Sequence, residues 1–241
     1  LELGDVDFAG RIPAIQSGKY DFTTDMNVTP EREEQVLFSD PTSHGGIVLA
    51  VRASDLAASA SQGSTDVTAL ADMENASIGV LSGTNFPEIL QAYFPDAEVM
   101  YFNSTADEVN ALKSGKVDAV ALDEPVARNM QAEDASLALF PERLGSFDYA
   151  FALGKSESGE TLCAELSDYL RKVKADGSME ELQAKWFDSA DLSAVEMTDY
   201  RELPAVNGTV RLATIQYPPF VFTNGERYAG YEIELLAMFC R

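Results

Sequence analysis

Short apolar runs alternate with amphipathic stretches along most of the chain, and the two periods mark out its elements. Residues 1–8 alternate, with Val6 and Phe8 in phase, and predict a short strand. Residues 9–18 have helical spacing, with Ile12 and Ile15 expected to face inward and Gly18 to end the helix. A strand is predicted over 20–24 and a helix over 30–35, with Thr29 as N-cap and Pro30 in the first helical position. Residues 36–38 resume an extended path, Ser39-Asp40-Pro41 marks a turn, and 46–52 forms an apolar strand. Residues 54–69, rich in Ser, Ala, Asp and Gly, read as loop and short helix, and 70–73 as a helical turn.

The alternation continues. Strand 77–81 runs into Ser82-Gly83-Thr84-Asn85 and a helix through residue 93. Strand 98–102, helix 105–114 ended by Gly115, and a near-continuous apolar strand 117–122 follow. Asp123-Glu124-Pro125 opens a helix over 126–131, and 147–153 is a strand. Two amphipathic helices, 157–173 and 178–187, flank Gly177, and 189–204 is acidic and weakly patterned, as a linker would be. A fresh strand over 209–216 leads to Tyr217-Pro218-Pro219-Phe220, a turn at Thr223-Asn224-Gly225 and a last helix over 230–240. Strand following helix in this way predicts an α/β fold with mostly parallel sheets.

Composition narrows the function classes. With 241 residues the chain can form one large domain or two lobes, and 46% apolar content supplies a core. A net charge of −23 argues against nucleic acid or an anionic membrane as partner, since both require basic patches. One histidine, His44, and two cysteines, Cys163 and Cys240, form no zinc or cluster pattern and allow at most one disulfide. The longest apolar run is far short of a membrane span, and the first residues do not read as a signal peptide. His44 has no nucleophile pattern around it, Gly154-Lys155-Ser156 lacks the first glycine of a phosphate loop, and no dinucleotide fingerprint occurs. No cofactor, metal or catalytic residue is expected.

Candidate chemistry gathers at the ends of strands, where open α/β sheets bind ligands. Gln16-Ser17-Gly18-Lys19-Tyr20-Asp21 resembles Lys113-Ser114-Gly115-Lys116-Val117-Asp118, which suggests two similar lobes. Arg32 is the cationic candidate and Asp123 the anionic one; with Thr84 and Asn85 they suit a zwitterion. A carboxylate calls for a bidentate arginine, and an ammonium for acceptors only. The local chemistry equally allows Arg32 a surface ion pair and Asp123 a simple helix cap. Phe8, Tyr217 and Phe220 are candidate pocket walls or core residues, and Thr214 joins the set at its strand end.

As an ordered set, these motifs resemble the bacterial family 3 solute-binding proteins, the periplasmic binding protein type II fold of polar amino-acid transporters. The matching stretches run from Asp7 to Asp21, Asn27-Val28-Thr29-Pro30-Glu31-Arg32, Phe38-Ser39-Asp40-Pro41, Gly79 to Thr84, Gly115 to Asp123, Tyr217-Pro218-Pro219-Phe220 and Gly230-Tyr231-Glu232-Ile233-Glu234. The resemblance implies a two-lobed clamp with two crossing strands. Lobe 1 would be 1–49 with 150–241, lobe 2 would be 50–149, and 189–208 would be a joining linker. It implies that Arg32 grips a ligand carboxylate with help from Asn27, and that Thr84 adds a contact. Asp123 and the Asp25 carbonyl would take the ammonium, while Tyr217, Phe8 and Phe220 frame the side chain.

Two departures stand out. The family usually has a small residue at the position of Asp25 and Ser or Thr at that of Asn27. The order also differs: the strand leading to Tyr217-Pro218-Pro219-Phe220 normally begins the domain, so the chain looks circularly permuted or cut from a tandem array. Intramolecular completion is expected, with a swapped dimer as the alternative. The function implied is extracytoplasmic binding of a small amino acid or related amine-carboxylate for an ABC permease. A fused sensory module and a cyclohexadienyl-dehydratase-like enzyme are the rivals.

Overall fold

A computed structural model describes residues 1–56, 70–203 and 208–241. The expected loop and short helix over 54–69, and the end of the expected 189–208 linker, lie in part outside the described residues. The chain divides into two compact units, Leu1–His44 with Phe147–Arg241, and Gly45–Ser146.

The first unit is built on the parallel strands Glu2–Asp5, Arg211–Thr214 and Phe22–Asn27, in that spatial order, with Leu144–Leu153 antiparallel to the last. Thus Arg211–Thr214, from late in the chain, lies between two strands from its start, with Leu3 opposite Leu212 and Leu212 opposite Phe22. The long helices Glu157–Ala175 and Ser178–Phe187 meet at Gly177, which adopts φ +85°, a conformation glycine reaches without strain. Their apolar faces bury Leu166, Leu170, Leu182 and Trp186. Helix Tyr231–Phe239 is apolar on nearly all sides, and Tyr231 through Ala237 are buried. Gly230 starts it with φ +122°, and a Cβ there would come within 2.3 Å of the Phe220 carbonyl oxygen.

The second unit carries the parallel strands Glu98–Phe102, Ser77–Leu81 and Ala119–Asp123, followed by antiparallel Ser43–Arg52. Ala119–Asp123 is buried at every position, as the apolar run from Ala119 to Leu122 requires, with Asp123 at its end. Helices Thr105–Lys113 and Glu124–Glu133 cover a core of Val48, Val109, Leu112, Val120 and Leu122. The helix caps follow from sequence: Ser104 Oγ accepts from the Asp107 amide at 3.1 Å, and Ser156 Oγ from the Gly159 amide at 3.1 Å.

Several expectations need correction. The helix expected over 9–18 is a 3₁₀ turn, Phe8–Gly10, and a short helix, Arg11–Gln16, whose buried residues are Arg11 and Ile15 rather than Ile12 and Ile15. Positions 11 and 15 share a helix face, so the polar residue, not Ile12, is carried inward. The helix expected over 30–35 ends at Glu33. The 189–204 stretch contains two 3₁₀ turns, Leu192–Ala194 and Tyr200–Glu202, each burying its apolar side chain and each capped by the preceding aspartate. Two small pieces of strand were not foreseen: Leu137–Leu139, and the hairpin Phe222–Asn224 with Arg227–Ala229 around the anticipated turn.

Candidate functional site

In the first unit the site grows out of strand Phe22–Asn27 and the loop after it. Every residue of that strand is buried. Its pairing with Leu144–Leu153 shifts between Thr23 and Met26, where Thr23 faces Ala152 and Met26 faces Ala150. Three steps on one strand therefore match two on the other, which is a β-bulge. Asp25 sits in it at φ +48°, the one non-glycine residue with positive φ among those described. Aspartate tolerates this left-handed conformation better than most residues.

Thr29 caps the four-residue helix Pro30–Glu33, its Oγ1 accepting from the Arg32 amide at 3.3 Å. The Arg32 side chain turns back and is buried, with Nη1 donating to the Asn27 carbonyl at 2.9 Å and its guanidinium 5.6 Å from the Phe8 ring centroid. Arg32, Asn27 and Phe8 are thus brought together.

Two residues that sequence reasoning missed complete this region. Arg11 is fully buried and lies 4.0 Å from the Phe8 ring centroid. Its Nη1 donates to the Thr24 carbonyl at 2.7 Å and to Thr23 Oγ1 at 3.3 Å, and Nη2 reaches the Asp25 carbonyl at 3.4 Å. Glu232, in the first turn of Tyr231–Phe239, is also fully buried. Its Oε1 accepts from the Asp25 amide at 3.1 Å and from Thr42 Oγ1 at 3.3 Å. Burial pushes the Arg11 guanidinium down to about 10, against the pull of Asp25 and Glu232, and pushes the Glu232 carboxyl up to about 7. The signal for Arg11 was its i, i+4 relation to Ile15; for Glu232 it was an acid in the first turn of a largely apolar helix.

The remaining first-unit candidates are distributed differently. Tyr217 is buried, pairs with Val221 through backbone bonds in both directions, and has its ring parallel to Phe220 at 6.2 Å. Phe220 is packed by Tyr149, Phe187 and Tyr231 as well, which places it in an aromatic cluster of the core. Thr214 is fully buried at its strand end, and its carbonyl accepts from the Val6 amide at 2.8 Å. The Asp25 carbonyl, expected to receive an ammonium, already receives Arg11.

In the second unit, Thr84, Asn85 and Asp123 stand at the C-terminal ends of the parallel strands Ser77–Leu81 and Ala119–Asp123. Thr84 Oγ1 donates to the Leu81 carbonyl at 2.8 Å, so its hydroxyl proton is used in its own turn. Asn85 holds the N-cap position of helix Phe86–Tyr93 and Asp123 that of Glu124–Glu133, but neither side chain makes the capping bond. The simple capping role for Asp123 is therefore not realised. Glu108, from helix Thr105–Lys113, is fully buried, and neither of its carboxyl oxygens has a hydrogen-bond partner among the described residues. Burial first, and the charge of Asp123 second, push its carboxyl well above the usual range.

Among the described residues, no group of three or more His, Cys, Asp or Glu could hold a metal, and no helix is long and apolar enough to cross a membrane. Cys163 and Cys240 are unpaired as disulfide partners, and Cys163 Sγ donates to the Phe38 carbonyl at 3.2 Å.

Comparison with known proteins bears on the family and the fold. The family model described as bacterial extracellular solute-binding proteins, family 3, matches residues 1–189. The chain is 29% identical over 190 residues to the ABC transporter glutamine-binding protein GlnH of Bacillus subtilis (strain 168), a match covering 77% of this chain and 64% of that protein. It therefore spans just under two thirds of that relative's length. Among solved structures, the substrate-binding protein of an amino acid ABC transporter is similar with a TM-score of 0.68 at 25% identity, covering 78% of this chain and 80% of the other. An ancestral arginine-binding protein bound to arginine has a TM-score of 0.62 at 30% identity, covering 76% and 78%.

Proposed function

The chain belongs to the bacterial extracellular solute-binding proteins of family 3, and from that premise we propose that it binds a small amino acid or related amine-carboxylate outside the cytoplasm for ABC-type uptake. The observation that carries this reading is the buried Arg32, fixed by the Asn27 carbonyl and set beside the Phe8 ring. An arginine fork is complementary to a carboxylate, and a guanidinium held by the backbone has its geometry organised before the ligand arrives.

In this reading Arg32 and Asn27 take the ligand carboxylate, and Phe8 and Tyr217 border its side chain. Asp123, Thr84 and Asn85 are the second unit's own candidates for polar groups of a ligand. Thr214 and Phe220 support the site from the core. The relatives named for glutamine and arginine support an amino acid as the ligand class. The surroundings would be periplasmic or cell-surface, and the partner an ABC permease.

A thermal-shift screen over the amino acids tests the reading, because a ligand bound only by the folded state raises the Tm by mass action. At least one amino acid at millimolar concentration is expected to stabilise the protein, and Arg32→Ala to remove that stabilisation. A screen with no hit, or a hit that survives Arg32→Ala, overturns it.

We infer that the strand order of the first unit is completed within one molecule. The parallel pairing of Arg211–Thr214 with both Glu2–Asp5 and Phe22–Asn27 supports this reading. A monomeric mass in solution is expected, and an obligate dimer would refute it.

A further inference from the structure

A β-bulge leaves backbone groups that the neighbouring strand does not satisfy, and buried polar groups of the main chain need partners. At the bulge in Phe22–Asn27 those partners are side chains. The Thr24 carbonyl accepts from Arg11 at 2.7 Å, the Asp25 carbonyl from Arg11 at 3.4 Å, and the Asp25 amide donates to Glu232 at 3.1 Å. One fork of donors and one carboxylate thus hold both sides of the same irregularity. The same guanidinium lies against the Phe8 ring at 4.0 Å. Arg11 therefore links the bulge to the aromatic wall, and the bulge sets the course of the chain into Asn27, whose carbonyl holds Arg32.

We propose that Arg11 is a positioning residue, which with Glu232 clamps the bulge at Thr24–Asp25 and so fixes where Asn27 and Arg32 present their groups to a ligand. The part concerning the ligand rests on the reading of Arg32 and Asn27 as the carboxylate grip. The clamp itself does not. An arginine suits the task because its planar fork reaches two carbonyls at once, whereas a lysine is a point charge. Asp25 and Glu232 attract the buried guanidinium, while Arg32 opposes it, so the four charges are interdependent.

The test uses Arg11→Met, Asp25→Gly, the double variant and Arg11→Lys, and needs no ligand. Urea unfolding is expected to show coupling: Asp25→Gly costs less, or stabilises more, in the Arg11→Met background than in the wild type, since the charge of Asp25 attracts the buried guanidinium. Additive losses would contradict the coupling.

Amide hydrogen exchange then separates positioning from bulk stability. In the double variant, exchange at Asn27 and Val28 is expected to quicken more than tenfold, while the strand Ser77–Leu81 keeps its protection. Unchanged exchange at Asn27 and Val28 would overturn the positioning role. Arg11→Lys is expected to recover stability yet leave the exchange at Asn27 raised; wild-type exchange would show that charge alone suffices and would overturn the fork. If Arg11→Met does not fold, the double and lysine variants still decide. Because no amino acid is added, failure here leaves the Arg32→Ala test untouched, and failure there leaves this one.

Discussion

The two units bury charge in opposite ways. In the first, Arg11 and Glu232 are both fully buried, yet each is tied to the strand Phe22–Asn27 by hydrogen bonds and they attract each other. In the second, the fully buried Glu108 has no hydrogen-bond partner among the described residues, and the charge acting on it, that of Asp123, has the same sign. Burial of a charge is tolerable when it is paired and hydrogen-bonded, and otherwise the group takes its neutral form. The first unit thus uses its buried charges to shape a backbone, whereas the setting of Glu108 in the second favours the neutral carboxyl.

The largest expected effect breaks the first arrangement. Arg11→Met should destabilise the protein by about 3–5 kcal/mol in urea unfolding, the usual cost of removing one partner of a buried charged pair. A loss below 1 kcal/mol would mean that the bulge does not depend on the clamp.

The next effect is a pH dependence. The Glu232 carboxyl lies at about 7 in the folded protein against 4.5 unfolded, so the folded state holds the proton more tightly. The stability from this group is fully present below about pH 4.5 and declines as pH rises to about 7, on the order of 3 kcal/mol in all. Relative to wild type, Glu232→Gln should flatten this slope in unfolding measurements over pH 4.5–8. A slope that persists undiminished would reassign it.

The smallest effect has the opposite sign and sits in the second unit. Glu108→Met removes two unpartnered polar atoms from an apolar setting and should stabilise by about 1–2 kcal/mol. Because the Glu108 carboxyl is raised well above its usual value, the gain should be larger at pH 8 than at pH 5. Destabilisation at pH 8 would show that Glu108 has a partner that the described residues do not reveal.

How much of this was legible depended on how local the cause was. Thr29 caps its helix as its sequence pattern requires, because a capping bond spans only two or three residues. The strands 77–81 and 98–102 kept their bounds, because periodicity carries the information. Arg11 was read past, since a positively charged side chain on a short amphipathic helix normally faces water. Its partners lie 12 to 14 residues away, and Glu232 lies 207 residues from Asp25. Leu192 and Tyr200 were hidden in the same way inside a stretch whose acidity suggested a solvated linker. Phe220 joined an aromatic cluster built from three separate segments.

The sequence by itself determined the alternation of strand and helix, the caps, the glycine stops and the place of Arg32 in the first turn after Thr29-Pro30. Each follows from steric and hydrogen-bonding preferences within a few residues of chain. Tertiary structure alone decided that Phe22–Asn27 carries a bulge, that Asp25 sits there with positive φ, and that Arg11 and Glu232 supply the missing backbone partners. A bulge is defined by the strand it fails to match. The groups that repair it can come from any part of the chain that folding brings within hydrogen-bond reach, and no local pattern records that distance.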